Sequence, residues 1–187
     1  MLNTIRYLIA IFFIAFGAAC GKYGKPLAPE LFAPAEVKEL SVTASVQGVT
    51  FDWRSPQNDT QGKKLDDLEG YRIYRRELEQ AARLMDPNAK FELIGTLEDT
   101  HLKELLELRQ QALNQGQVSR RVTLPEERSK FQFIDRGAVP GKRYFYQIVA
   151  YNQGGVEGKV IERINVLFRG EISEIARIPY SAEEFEF

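Results

Sequence analysis

Apolar and polar positions alternate with a period of two in several stretches of this chain, and the clearest is Val139–Asn152. After Pro140-Gly141, residues Tyr144, Tyr146, Ile148 and Ala150 fall on one face, and Phe145, Gln147, Val149 and Tyr151 on the other. Period two with aromatic and β-branched residues predicts a strand, and two largely apolar faces predict a central place in its sheet. Asn152-Gln-Gly-Gly155 then supplies residues suited to a turn. Val37–Ser45 and Val49–Trp53 show the same period on either side of Gln47-Gly48, a hairpin-like connection. Val49, Phe51 and Trp53 share a face, so the only Trp is expected in the core with its N–H bonded. In Gly70–Arg76, Tyr71, Ile73 and Arg75 alternate with Arg72, Tyr74 and Arg76. Phe91–Leu97, Phe131–Asp135 and Gly158–Phe168 complete the β-rich runs, with Ile164, Val166 and Phe168 on one face of the last. Glu171–Pro179 adds a short extended segment.

The period changes twice. Leu78, Ala81, Ala82 and Met85 recur at helical spacing in Glu77–Met85, which Asp86-Pro-Asn88 stops. Leu102, Leu105, Leu106, Arg109, Ala112 and Leu113 do the same after Asp99 or Thr100, either of which can cap a helix ended by Asn114-Gln-Gly116. Arg54–Leu68 and the stretch through Arg120, Arg121 and Glu126–Arg128 are polar and loop-like. Seven β runs with turn signals between them and few helices favour an all-β, antiparallel sandwich over an α/β fold.

The N-terminus has another organisation. A short positive segment ending at Arg6, the apolar run Tyr7–Phe16 and the small residues Gly17-Ala-Ala-Cys20 form a tripartite secretory signal, over residues 1–19. The apolar run is short for a membrane span, which needs about 20 residues. Residues 20–36 carry Gly21, Gly24, Pro26, Pro29 and Pro34 and read as a linker able to hold a domain about 40 Å from a bilayer. The side-chain charge is −1, and −1 − 1 = −2 without Arg6, so nothing here favours nucleic acid. One Cys and one His exclude an intrachain disulfide and a Cys/His zinc site.

Two resemblances carry the reading further. The setting of Cys20 resembles the lipobox of bacterial lipoproteins, although Gly17 stands where Leu is usual; the alternative is an uncleaved signal anchor with an incidental Cys. The resemblance implies acylation of Cys20 and, with Gly21 next rather than Asp, an outer-membrane anchor facing the periplasm. Two or more acyl chains give stable attachment. Cys20–Pro29 is also similar to the opening of small lipoproteins that associate with the lipopolysaccharide-transport machinery.

The second resemblance covers residues 34–168. Pro34, Val37 and Leu40, Val49–Trp53, Gly70–Tyr74, Phe133–Asp135, Val139–Tyr144, Tyr146–Asn152 and Gly155 fall in the order of fibronectin type III modules. It implies an immunoglobulin-like sandwich with Trp53, Tyr71 and Tyr146 in the core. Tyr144 becomes a tyrosine corner, its hydroxyl bonding back to the turn. Such modules run to about 100 residues, and the surplus here lies in insertions at 77–90 and 99–128, with a tail at 169–187.

Catalysis is not expected. His101 would have to serve any Ser-His-Asp or Cys-His set, and it reads as a surface residue of a first helical turn. No phosphate loop occurs, and Asp66-Asp67 and Glu126-Glu127 lack the alternating carboxylates of a calcium loop. No cofactor or metal is expected. The expected partners are the membrane, through Cys20, and an envelope protein at the inserted helix, where Leu105 and Leu106 are the candidates. The second candidate is a strand face of Arg72, Tyr74 and Arg76 for carbohydrate or lipopolysaccharide, against which stands an exposed face with arginine stems over aromatics.

Overall fold

The computed structural model describes residues 28–78, 90–160 and 162–179. The signal, Cys20, most of the helix expected at 77–85 and the tail from 180 lie outside the described residues. Among the described residues, eight strands form two antiparallel sheets. β1 (Lys38–Ser45), β2 (Gly48–Arg54) and β5 (Lys130–Asp135) make a three-stranded sheet in the order β1-β2-β5. β3 (Leu68–Leu78), β4 (Glu92–Glu98), β6 (Arg143–Asn152), β7 (Glu162–Leu167) and β8 (Glu174–Pro179) make the other, in the order β4-β3-β6-β7-β8.

The period-two pattern explains the layers. Val49, Phe51 and Trp53 of β2 face Tyr71, Ile73, Tyr144, Tyr146, Ile148, Ile164 and Val166 of the larger sheet, all within one buried core. β6 is central, paired with β3 and β7. Its second apolar face is buried too, because Phe145 lies between the guanidinium groups of Arg76 and Arg163, 5.2 and 5.6 Å from its ring centre. The β1–β2 hairpin turns at Val46-Gln47 into Gly48, whose φ of 137° and whose closeness to the Asp135 carbonyl leave no space for a Cβ. Phe133 of β5 packs on Gly95 of β4 at one pair of sheet edges. Arg177 of β8 bonds to the Leu40 carbonyl of β1 at the other.

Several expectations change. β3 continues to Leu78, so Glu77 and Leu78 belong to the strand and not to a helix; they pair with Tyr144 and Arg143, and Lys142 holds Glu77 at 2.6 Å. The linker reading fails from Pro29 onward. A 3-10 turn at Pro29–Phe32 leads to buried Ala33 and Pro34, and the backbone bonds Ala35 to Asn58 and Thr60 to Ala33 fasten the segment to the domain. β7 begins at Glu162 rather than Gly158, whose N–H instead bonds to the Ala150 carbonyl. Residues 174–179, read as part of a tail with an extended segment, form β8 along β7. Between β4 and β5 stands α1 (His101–Asn114), followed by 3-10 turns at Ser119–Arg121 and Glu126–Ser129.

Candidate functional site

The start of α1 is fastened to both sheets through Asp99. Its side chain is fully buried and accepts bonds from Ser55 Oγ (2.8 Å), Tyr71 OH (2.6 Å) and the His101 N–H (3.1 Å), and it contacts His101 Nδ1. Asp99 thus serves α1 one residue ahead of Thr100, whose hydroxyl makes no capping bond and donates instead to Glu104. Burial pushes the Asp99 carboxyl upward, but the bonds from His101, Tyr71 and Ser55 outweigh it and hold it below the usual range. Burial, then the Asp99 charge, raises the Tyr71 hydroxyl. His101 is therefore not a surface residue; its side chain is only 17% exposed because it lies on this carboxylate.

Ser, His and Asp meet here without forming a catalytic triad. A triad sets the carboxylate on one ring nitrogen and the hydroxyl on the other. Here Ser55 Oγ lies 3.5 Å from Nδ1, the nitrogen that already faces Asp99, and gives its proton to Asp99. The cluster is a clamp that joins the end of β2, the core of β3 and the first turn of α1.

Leu105 and Leu106 point to different flanks of the clamped helix. Leu105, half-buried, lines a groove of about 410 Å³ with His101, Arg109, Arg54, Arg128 and Leu124. Leu106, 59% exposed, lines a cleft of about 390 Å³ with Leu68, Leu102 and the carboxylates of Asp66, Glu69, Glu98 and Glu107. The Leu105 flank is thus one of paired charges, with Arg54 held by Glu39 and Glu126 and Arg128 by Glu104, and the Leu106 flank is acidic. Leu113, one heptad after Leu106, is 54% exposed, whereas Ala112 is buried.

The Arg72–Tyr74–Arg76 face is committed internally. Arg72 Nη1 meets Glu157 at 2.6 Å and its guanidinium lies 4.3 Å over Tyr151, while Tyr74 OH donates to Glu157 at 2.5 Å. Arg76 is buried, 5.3 Å over Phe91 and 5.2 Å over Phe145, so the expected exposed face is in part an interior one. Among the core aromatics, Tyr144 OH accepts from the Val139 N–H (3.0 Å) and Tyr146 OH donates to Asp135 (2.7 Å). Trp53 is buried against Tyr71 and Phe131, and its N–H, expected to be bonded, meets no hydrogen-bond partner among the described residues. Among the described residues no group of three or more His, Cys, Asp or Glu can hold a metal ion.

The sequence pattern missed the Asp99 clamp and one further feature. At the opposite end of the sandwich, Val46, Pro140, Phe168 and Ile172 line a cleft of about 570 Å³, with Val46 82% and Ile172 78% exposed. Single apolar residues at loop tips leave no periodic signal.

Strand order, sheet pairing and the Tyr144 bond make an immunoglobulin-like sandwich. No family model and no curated protein matches the sequence. Among solved structures, the chain is similar to the twitchin kinase region of C. elegans, at 15% identity and a TM-score of 0.41 over 74% of this chain and 17% of that one. It is similar to titin domains A168–A170 at 14% identity and a TM-score of 0.38, over 70% of this chain and 30% of that three-domain chain. It is also similar to the third fibronectin III domain of human KIAA0343, at 12% identity and a TM-score of 0.35, covering 87% and 96%. The chain spans less than a third of the length of the first two.

Proposed function

We propose that this chain is a lipid-anchored, fibronectin type III-like module of a bacterial cell envelope, and that it binds an envelope protein through α1 and catalyses nothing. The observation that carries this reading is the rigid presentation of α1. Asp99 fastens its first turn to the core, while Leu106 and Leu113 stand more than half exposed on an element the sandwich does not need. Apolar side chains held outward on a fixed helix suit recognition by a partner helix or groove. The polar cluster at its base supports a non-catalytic role, since its serine faces the wrong nitrogen of His101. The anchor is supported by the setting of Cys20 alone.

The test is the double variant Leu105→Glu/Leu106→Glu, produced as the full chain in its host and crosslinked in whole cells. Loss of the wild-type crosslinked species, with unchanged strand signal in circular dichroism, is expected; an unchanged crosslinking pattern with an intact fold overturns the reading. Cys20→Ser, which removes the acceptor of the lipid, is expected to release the protein from the membrane fraction. Carbohydrate or lipopolysaccharide binding at Arg72, Tyr74 and Arg76 is the weaker reading, because Glu157 and Phe145 already occupy those groups.

A further inference from the structure

We infer that the Leu106 flank of α1 receives a basic segment of the protein partner, one that carries several separated Lys or Arg side chains beside an apolar one. The inference rests on the reading of α1 as a protein-binding element and adds the chemistry of what binds. The cleft has an apolar floor in Leu68 and Leu102, an exposed apolar rim in Leu106, and carboxylates around it. Asp66, Glu69, Glu98 and Glu107 make no ion pair or side-chain hydrogen bond among the described residues, and Lys103 is the one cation in the lining. Asp99 offers no free charge to the cleft, because its buried carboxylate is taken up by Ser55, Tyr71 and His101.

Two further facts decide what kind of cation fits. The carboxylates do not converge; no group of three could hold one metal ion among the described residues. Dispersed negative charge around an apolar floor is complementary to a chain with dispersed positive charge, and not to a point ion. On the other flank the charges are already matched, since Arg54 pairs with Glu39 and Glu126 and Arg128 pairs with Glu104. A basic segment is therefore drawn to the Leu106 side, where the carboxylates are unpaired, and gains nothing comparable on the Leu105 side.

The experiment places the photoreactive residue p-benzoylphenylalanine at position 106 or at position 105 of the full chain in its own host envelope. Adducts are isolated and the crosslinked segment is sequenced. A position-106 adduct on a segment with at least two Lys or Arg is expected, with its yield falling about tenfold or more in Glu98→Lys/Glu107→Lys, as for opposed charge pairs. Recovery of the yield when the partner's basic residues are reversed completes the expected result. An adduct segment without basic residues, or a yield indifferent to the charge reversal, overturns the inference. Adducts at 105 but not at 106 overturn it while leaving α1 as a binding element; adducts at neither position overturn both.

Discussion

The Tyr71 hydroxyl donates to Asp99 Oδ2 at 2.6 Å, and this bond ties the residue ahead of α1 to the core of the larger sheet. Tyr71 is wholly buried beneath Trp53 and Phe131, so Asp99 is held from a side that cannot move without disturbing the core. The first turn of α1, and with it the setting of the acidic cleft beside Leu106, is tied to the core through this carboxylate as well as through the packing of Leu102.

That dependence has a pH signature. The Asp99 carboxyl titrates below its unfolded value of about 3.9. A depressed folded pKa contributes stability above the unfolded value, and the contribution is lost as pH falls through the folded one. Asp99→Asn is expected to lower unfolding stability by about 2–3 kcal/mol at pH 6, the range for hydrogen bonds to a charged group. The gap from wild type should narrow below about pH 4. Urea unfolding of both proteins between pH 6 and pH 2.5 measures this, and a gap that stays constant across the range contradicts it.

Tyr144 and Tyr146 share one face of β6 but serve different partners, and their Phe variants should differ in cost. Tyr144→Phe removes one part-buried bond from the backbone N–H of exposed Val139 and is expected to cost about 1 kcal/mol. Tyr146→Phe strips a donor from the buried Asp135 carboxylate and should cost about 2 kcal/mol. Equal losses in thermal or urea unfolding would show that these bonds do not carry the difference.

Asp135 sits at the end of β5 and also accepts from Arg75 of β3 at 3.1 and 3.2 Å, which makes it a tie between the sheets. Arg75→Met leaves the carboxylate with Tyr146 and the Gly137 N–H as its donors. Breaking a buried pair costs about 3–5 kcal/mol, and the partial exposure of Arg75, at 19%, brings the expected loss to about 2–3 kcal/mol. Arg75→Met/Asp135→Asn should lose less than the sum of the two single variants, because neither partner is then left charged alone. Strict additivity in urea unfolding would dismiss the tie.

What was legible in the sequence followed from periodicity. Tyr144, Tyr146, Ile148 and Ala150 announce the buried face of β6, and Leu102, Leu105 and Ala112 announce α1, because a strand or helix repeats its environment at a fixed step. The Asp99 clamp repeats nothing. Ser55, Tyr71 and Asp99 come from three separate segments, and each read alone as a loop serine, a core aromatic and a cap. The end of β3 departs from the helical expectation because ladder pairs to Tyr144 and Arg143 outweigh the local helix propensity of Glu77 and Leu78. The two flanks of α1 were out of reach for a related reason. Leu105 and Leu106 adjoin in sequence, but one helical step of about 100° separates them, and much of their charged surroundings comes from strands outside the helix, such as Arg54 of β2, Glu69 of β3 and Glu98 of β4.

Gly95 offers a test of how the sheets close against each other at the β4–β5 edge. A Cβ built there would lie 2.4 Å from Cε2 of Phe133, closer than carbon atoms approach, and the ring is held by its place over the core. Gly95→Ala must therefore displace Phe133, and such overpacking costs about 1–3 kcal/mol. Phe133→Leu alone loses ring contacts and is also expected to destabilise. In the double variant the smaller side chain makes room for the new methyl, so the combined loss should fall short of the sum by about 1 kcal/mol, a coupling typical of residues in contact. The double-mutant cycle in urea measures that coupling. A value near zero would mean that the β4 backbone, and not the Phe133 ring, absorbs the methyl, and that this edge of the sandwich is softer than the packing on Gly95 implies.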